Sequence, residues 1–186
     1  DPTMDNAHRQ PPAPDAQSQL AAWLALKDRA LDVTAEGVTI ADARLPDRPL
    51  IYANTGFERM TGYAAADVMG RNCRFLQGPD TAAADVAEIR SALAENRECV
   101  VELLNYRKDG TTFWNRLSIA PVRNDSGDVT HFVGVQSDVT ARRLAEDGLR
   151  QSKEALQQDL RLAARVQQAL LPPAEFEAGA LRIAHA

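Results

Sequence analysis

The chain has 186 residues, 45% of them hydrophobic, with 21 basic and 26 acidic side chains and a formal net charge of −5. That is enough for one core of ordinary domain size with extensions, and the acidic balance supplies no basic field to hold nucleic acid or an anionic lipid surface. No apolar run approaches the roughly 20 residues needed to cross a bilayer, and no signal-peptide plan opens the chain, so neither a membrane nor a nucleic-acid partner is expected and a cytoplasmic location is.

Residues 1–15 are rich in Pro, Gln, Asp and Ala without periodic hydrophobics and read as a disordered tail. Asp1-Pro2-Thr3 ahead of Met4 reads as a cloning scar and is excluded from the fold. Over residues 16–32, Leu20, Trp23, Leu24 and Leu31 fall at helical spacing, which predicts an amphipathic helix able to dock on a sheet or a second subunit. "GVTIAD" and "LIYAN" predict two short strands joined by the turn "ARLPDRP". The next segment is broken by Gly62, Gly70 and Gly78 and predicts several short helices. "TAAADVAEIRSALAEN" places Val86, Ile89 and Leu93 on one helical face, with Thr81 as N-cap. Three longer strands follow over 98–107, 111–122 and 128–138, separated by the hairpin turns "KDG" and "NDSG". The order predicts an α+β domain with one sheet and one helical layer.

Alternation along the last three strands puts Asn105 on a face with Val101 and Leu103, Asn115 with Phe113, Leu117 and Ile119, and Gln136 with Phe132 and Gly134. Each face is otherwise built for a core. A buried amide without a partner costs about 1–3 kcal/mol, so these three need partners inside. Backbone or buried water is the ordinary partner of one amide. For three on adjacent strands the economical partner is a planar ligand with donors and acceptors along its edge, and Gly134 lets a flat group approach the backbone.

The cysteines, Cys73 and Cys99, are too few for a disulfide framework, and no Cys/His spacing suggests a zinc site, so no metal is expected and Cys73 is expected as a free thiol. In "GRNCRFLQG", Cys73, Leu76 and Gln77 share one face of a short helix, flanked by Asn72 and Arg74. Arg74, and Arg90 beside the apolar stripe of the following helix, can fork onto a phosphate. Cys99 reads as a small buried hydrophobe.

"GRNCRFLQG", "NYRKDGTTFWN" and "FVGVQSDVT", in that order, resemble the flavin-binding LOV photoreceptors of the PAS superfamily over residues 33–140. The resemblance implies a five-stranded antiparallel sheet with helices on one face. It implies that Cys73 forms the photochemical bond to flavin C(4a), that Asn72 and Gln77 bind the ribityl chain, and that Arg74 and Arg90 bind phosphate. It places Asn105 and Asn115 on the polar edge of the ring, and Gln136 beside N(5) as the switch that follows its change from acceptor to donor. Gln77 runs to Thr81 without the insertion that some members use for adenine, so FMN is expected rather than FAD. A redox flavoenzyme and a PAS module for another small ligand are the competing classes. The first lacks a visible base, and the second has no reason for Cys73 with two phosphate-reaching arginines.

Residues 141–171 contain no proline, and Leu149, Leu156, Ala163 and Leu170 recur every seven residues, which predicts a coiled-coil helix and a parallel homodimer. The partner positions Ala145, Ser152, Asp159 and Val166 make that seam weak and switchable. "LAARVQQALLPP" resembles the lead-in to PPM-type serine/threonine phosphatases, so residues 172–186 are expected to begin an effector domain in cis. On this reading the fragment is a sensor and not itself an enzyme. A histidine kinase, for which the helix offers no phosphate-accepting His, and a diguanylate cyclase are the rival outputs.

Overall fold

The computed structural model describes residues 16–170; the expected N-terminal tail and effector start lie outside them. The chain divides into two units, up to Ala141 and from Arg142 onward. The first contains α1 (Ala16–Val33), β1 (Gly37–Asp42), β2 (Leu50–Ala53), α2 (Thr55–Thr61), α3 (Ala65–Val68), a 3-10 turn at Cys73–Leu76, α4 (Ala83–Ala94), β3 (Cys99–Tyr106), β4 (Thr112–Arg123) and β5 (Val129–Asp138). α5 (Thr140–Leu170) leads out of it.

The five strands form one antiparallel sheet in the order β2-β1-β5-β4-β3. β3–β4 and β4–β5 are the two hairpins expected from the turn residues. β5, last in sequence, lies at the centre because it also pairs with β1, with Gly37 opposite Gln136, Thr39 opposite Gly134 and Ala41 opposite Phe132. Strand parity behaves as read: Leu103, Asn105, Phe113, Asn115, Phe132 and Gln136 are all buried.

Asn54 ties the helical layer to this sheet. It is buried at the N-cap of α2, where its Oδ1 accepts from Phe57 N at 2.9 Å and Val38 N at 2.7 Å. Its Nδ2 donates to Leu31 O at 2.7 Å and Glu36 O at 3.1 Å, so one amide closes the ends of α1, β1 and α2. The backbone approach is close enough that a Cβ on Gly56 would stand 2.1 Å from Glu36 O. At the far end of β1, Asp42 is clamped by Arg44 through contacts of 2.9 and 2.7 Å, and that guanidinium holds its carboxyl down at about 2.

One sequence expectation changes, and one open choice is narrowed. Thr81 does not cap α4; its hydroxyl donates to Leu104 O at 2.7 Å and accepts from Gly78 N at 3.0 Å, so bonding to β3 takes precedence and Ala82 occupies the cap position without a side-chain bond. α1 does not lay its apolar stripe on the sheet. Leu20, Trp23 and Leu24 are exposed, and the helix is held through its last turn, where Asp32 Oδ1 accepts from Thr55 N and Oγ1 at 3.0 and 2.9 Å. α5 is one unbroken helix of 31 residues with Leu149, Leu156, Leu160 and Val166 exposed along it.

The core is in two pieces. Leu50, Phe57, Val68 and Leu76 form one cluster, with Cys73 packed against it. Ala92, Cys99, Ile119 and Phe132 form the other, with Ile89, Leu93 and Leu117. Cys99 is thus the small buried hydrophobe its sequence context suggests.

Candidate functional site

Between the two clusters lies a cavity with about 720 Å³ of atom-free space counted out to its mouth, walled by Leu50 and Leu76 from one cluster and Ile119 and Phe132 from the other. An open recess lined mainly by apolar side chains in a close-packed domain leaves dispersion contacts that an occupant restores. Cys73, Asn72, Arg74, Gln77, Asn105, Asn115 and Gln136 all face it. Arg90 is exposed on α4 and is not among the lining residues, although its neighbour Ile89 is.

The amides form a relay on the sheet wall. Asn115 Nδ2 donates to Asn105 Oδ1 at 2.9 Å and to Gln136 Oε1 at 3.4 Å. Gln136 Nε2 donates to Thr39 Oγ1 at 3.3 Å and lies 3.9 Å from Cys73 Sγ. The diagonal spacing follows from register, since Leu103 faces Asn115 and Leu117 faces Gln136, which offsets each amide by two residues from the next. Asn115 Oδ1 is buried and has no hydrogen-bond partner. That orphaned acceptor, among amides able to give and accept, fits the N–H and carbonyl edge of a planar ring. Gly134 lies flush in the same wall, where a Cβ would stand 2.8 Å from Thr39 Oγ1. The donor set therefore fits a flavin ring.

On the helical wall, Asn72 caps the 3-10 turn, its Oδ1 accepting from Arg74 N at 3.0 Å and Arg74 Nε at 3.2 Å. This presents Cys73 to the cavity from the first position of the turn. Burial pushes the thiol up to about 12, opposed by the hydrogen bond from Gln136. The group is a protonated thiol at physiological pH, not a thiolate. Its shift makes the folded state keep a proton that the unfolded chain, with its thiol near 9, releases. The contribution is present below pH 9 and is lost as pH rises through about 12. In the dark, ligand-free protein, alkylation of Cys73 by iodoacetamide, followed by peptide mass mapping, should rise about tenfold per pH unit through pH 10 without levelling. In urea it should level near 9, the thiol's ordinary value. A plateau near 9 in the folded protein removes the buried-thiol assignment.

Thr39 and Arg48 escaped sequence reasoning. Parity in "GVTIAD" puts Thr39 on the same face as Gly37, but nothing local says that β1 lies beside β5. Arg48 sits in an irregular turn that carries no periodic signal. Among the described residues no cluster of three or more His, Cys, Asp or Glu could hold a metal ion, and no helix is long and apolar enough to cross a membrane.

The chain matches the family model described as PAS domain over residues 36–141. It is 53% identical over 115 residues to phototropin-2 of Oryza sativa subsp. japonica, covering 62% of this chain and 13% of that protein. It is 44% identical over 144 residues to a blue-light-activated histidine kinase of Rhizobium johnstonii, covering 77% and 42%. Among solved structures, an RNA-binding light-oxygen-voltage receptor matches with a TM-score of 0.66 and 41% identity over 79% of this chain and 41% of that one. The light-state aureochrome1 LOV structure matches with a TM-score of 0.57 and 42% identity over 68% and 96%. The chain spans less than half the length of these two curated relatives.

Proposed function

This chain belongs to the PAS family and, within it, to the LOV branch, and from that premise we propose that it is a blue-light sensor module that holds FMN in its cavity and links it reversibly to Cys73 on illumination. The observation that carries the reading is the placement of the Cys73 sulfur 3.9 Å from Gln136 Nε2, beside three buried amides of which one has an unpaired oxygen. Asn105, Asn115 and Gln136 would hold the ring edge, Asn72 and Gln77 the ribityl chain, and Arg74 the phosphate. Arg90 joins it only by a change of side-chain position, being outside the cavity wall.

When bound, the excited ring supplies an electrophilic carbon and an adjacent nitrogen that takes a proton. Cys73 carries both the sulfur and the proton that this chemistry consumes, because its thiol stays protonated in the buried site. Gln136 responds by rotating its amide, so that Oε1, which accepts from Asn115, and Nε2, which donates to Thr39, exchange places. The strand it moves ends at Asp138, whose Oδ1 accepts from Thr140 N at 2.9 Å at the start of α5 and whose Oδ2 pairs with Arg107 at 2.7 Å. The path from light to output is therefore Cys73, Gln136, β5 and α5.

We place the output in cis after α5 as a PPM-type serine/threonine phosphatase, on the strength of "LAARVQQALLPP". A kinase output is the second reading, favoured by the rhizobial relative. The net charge of −5 supports no RNA-binding role like that of the structural neighbour. A parallel homodimer through residues 141–171 follows from the exposed seam at Leu149 and Leu156, weakened at Ser152 and Asp159. The test is an absorption spectrum of the FMN-loaded protein with solution mass in dark and light. Loss of the blue band under light and its return in the dark, without added reductant, is expected from a dimer. A band that stays constant overturns the sensor reading, and a monomeric mass at micromolar concentration overturns the dimer.

A further inference from the structure

We propose that the β1–β2 turn is a charge-exchange latch that selects ligands with an anionic tail, with Arg48 as a direct ligand and Asp47 as the group that occupies Arg74 until the tail arrives. The proposal rests on the flavin reading above and adds to the phosphate contact of Arg74 a second ligand, Arg48, and a competing carboxylate, Asp47.

Three observations support it. Arg48 lines the cavity, its guanidinium 6.0 Å from the Phe132 ring, and among the described residues it has no acidic partner. A guanidinium facing a cavity without a counter-ion is a binding group for a phosphate oxygen pair. Arg74, the other cation on the same wall, is already engaged by the Asp47 carboxylate, while Asn72 Nδ2 donates to the Asp47 carbonyl. Finally, Asp47 and Arg48 both hold left-handed backbone, at φ 67° and 49°, two consecutive non-glycine residues in a conformation that surrounding contacts must maintain.

The charges determine the behaviour. Arg48 and Arg74 against Asp47 leave one net positive charge at this wall. A dianionic tail lying between the two guanidiniums meets repulsion from the Asp47 carboxylate unless that group withdraws. The Asp47–Arg74 pair is about three-fifths exposed on both sides, at 59% and 61%, so solvent screens it and exchange is easy. A phosphate therefore replaces Asp47 on Arg74, whereas an uncharged tail leaves the pair in place. Tail charge is in this way coupled to the conformation of the turn, a link absent from the strand-and-amide wall.

The experiment compares FMN with riboflavin on the ligand-free full chain, by flavin fluorescence titration in the dark. Arg48→Asn removes the charge while keeping a residue that tolerates left-handed backbone, and Arg48→Lys retains charge without the fork. Arg48→Asn should weaken FMN roughly tenfold, the factor one charge-assisted hydrogen bond supplies, with riboflavin changed less than about twofold. Arg48→Lys should fall between Arg48→Asn and the parent chain. Asp47→Asn should tighten FMN several-fold and leave riboflavin alone. Thermal melts of the ligand-free variants confirm that each is folded. An unchanged FMN-to-riboflavin ratio in both Arg48 variants, or weaker FMN binding in Asp47→Asn, overturns the latch while the flavin reading stands. Binding of neither flavin by the parent chain removes that reading and the latch with it.

Discussion

Cys73→Ala should keep its flavin and lose its light response completely. The sulfur touches the rest of the relay only through Gln136 Nε2 at 3.9 Å, so its removal breaks one weak bond and leaves Asn105, Asn115 and Gln136 in place to hold the ring. The expected stability cost is about 1 kcal/mol, the ordinary effect of trimming one partly buried atom. Photochemistry is another matter, because no second residue can replace the thiol. Cys99, the other cysteine, lies in the cluster with Ala92, Ile119 and Phe132 and is not among the cavity's lining residues. Absorption spectra of the variant before and after blue light check this directly. Reversible bleaching that survives the substitution would assign the reacting atom elsewhere and sink the proposed role of Cys73.

The second large effect is expected at Gln136. Gln136→Leu fills the same space but cannot exchange donor for acceptor, so the variant should still bleach while passing little change to α5. The side chain is fully buried at the centre of the sheet, between Thr39 on β1 and Asn115 on β4. Replacing it removes one hydrogen bond from each, while Thr39 keeps Gly134 O and Asn115 keeps Asn105 Oδ1, a cost of about 1–3 kcal/mol that a thermal melt will show. The functional effect is separate from that cost. Hydrogen exchange at the amides of the first turns of α5, compared in dark and light, should respond in the parent chain and stay flat in the variant. An equal response in both removes Gln136 from the signalling path. An absent response in the parent chain means that the light signal leaves the domain by another route, through α1 or the outer sheet face.

Much of the candidate site follows from local rules. The pleat forces alternate residues to one face, so Asn105, Asn115 and Gln136 could be assigned to the interior before any pairing was known. The turns "KDG" and "NDSG" require hairpins, which places β3, β4 and β5 side by side and brings the three amides onto one wall. The cysteine turn is equally local, because Asn72 caps it with its own side chain and thereby aims Cys73. The resemblance of "GRNCRFLQG" to the LOV signature then supplied the chemistry that such a thiol serves.

What only the tertiary structure decided is every contact that closes a long loop. Thr39 meets Gln136 across 97 residues of sequence and Cys73 meets it across 63, and no turn residue or periodicity specifies either. The first arises because β5 returns to pair with β1, and the second because the cysteine turn packs onto the Leu50, Phe57, Val68 and Leu76 cluster; both are closures across long stretches of chain rather than properties of either segment. The same reason explains the departures. Thr81 has the chemistry of a cap, yet β3 passes near enough to take its hydroxyl. Arg90 has the reach for a phosphate, yet α4 turns it to solvent, while Arg48, in a turn without pattern, is brought to the cavity. Residue type and period determine which side chains are eligible for a site; only the closing of the sheet determines which of them meet.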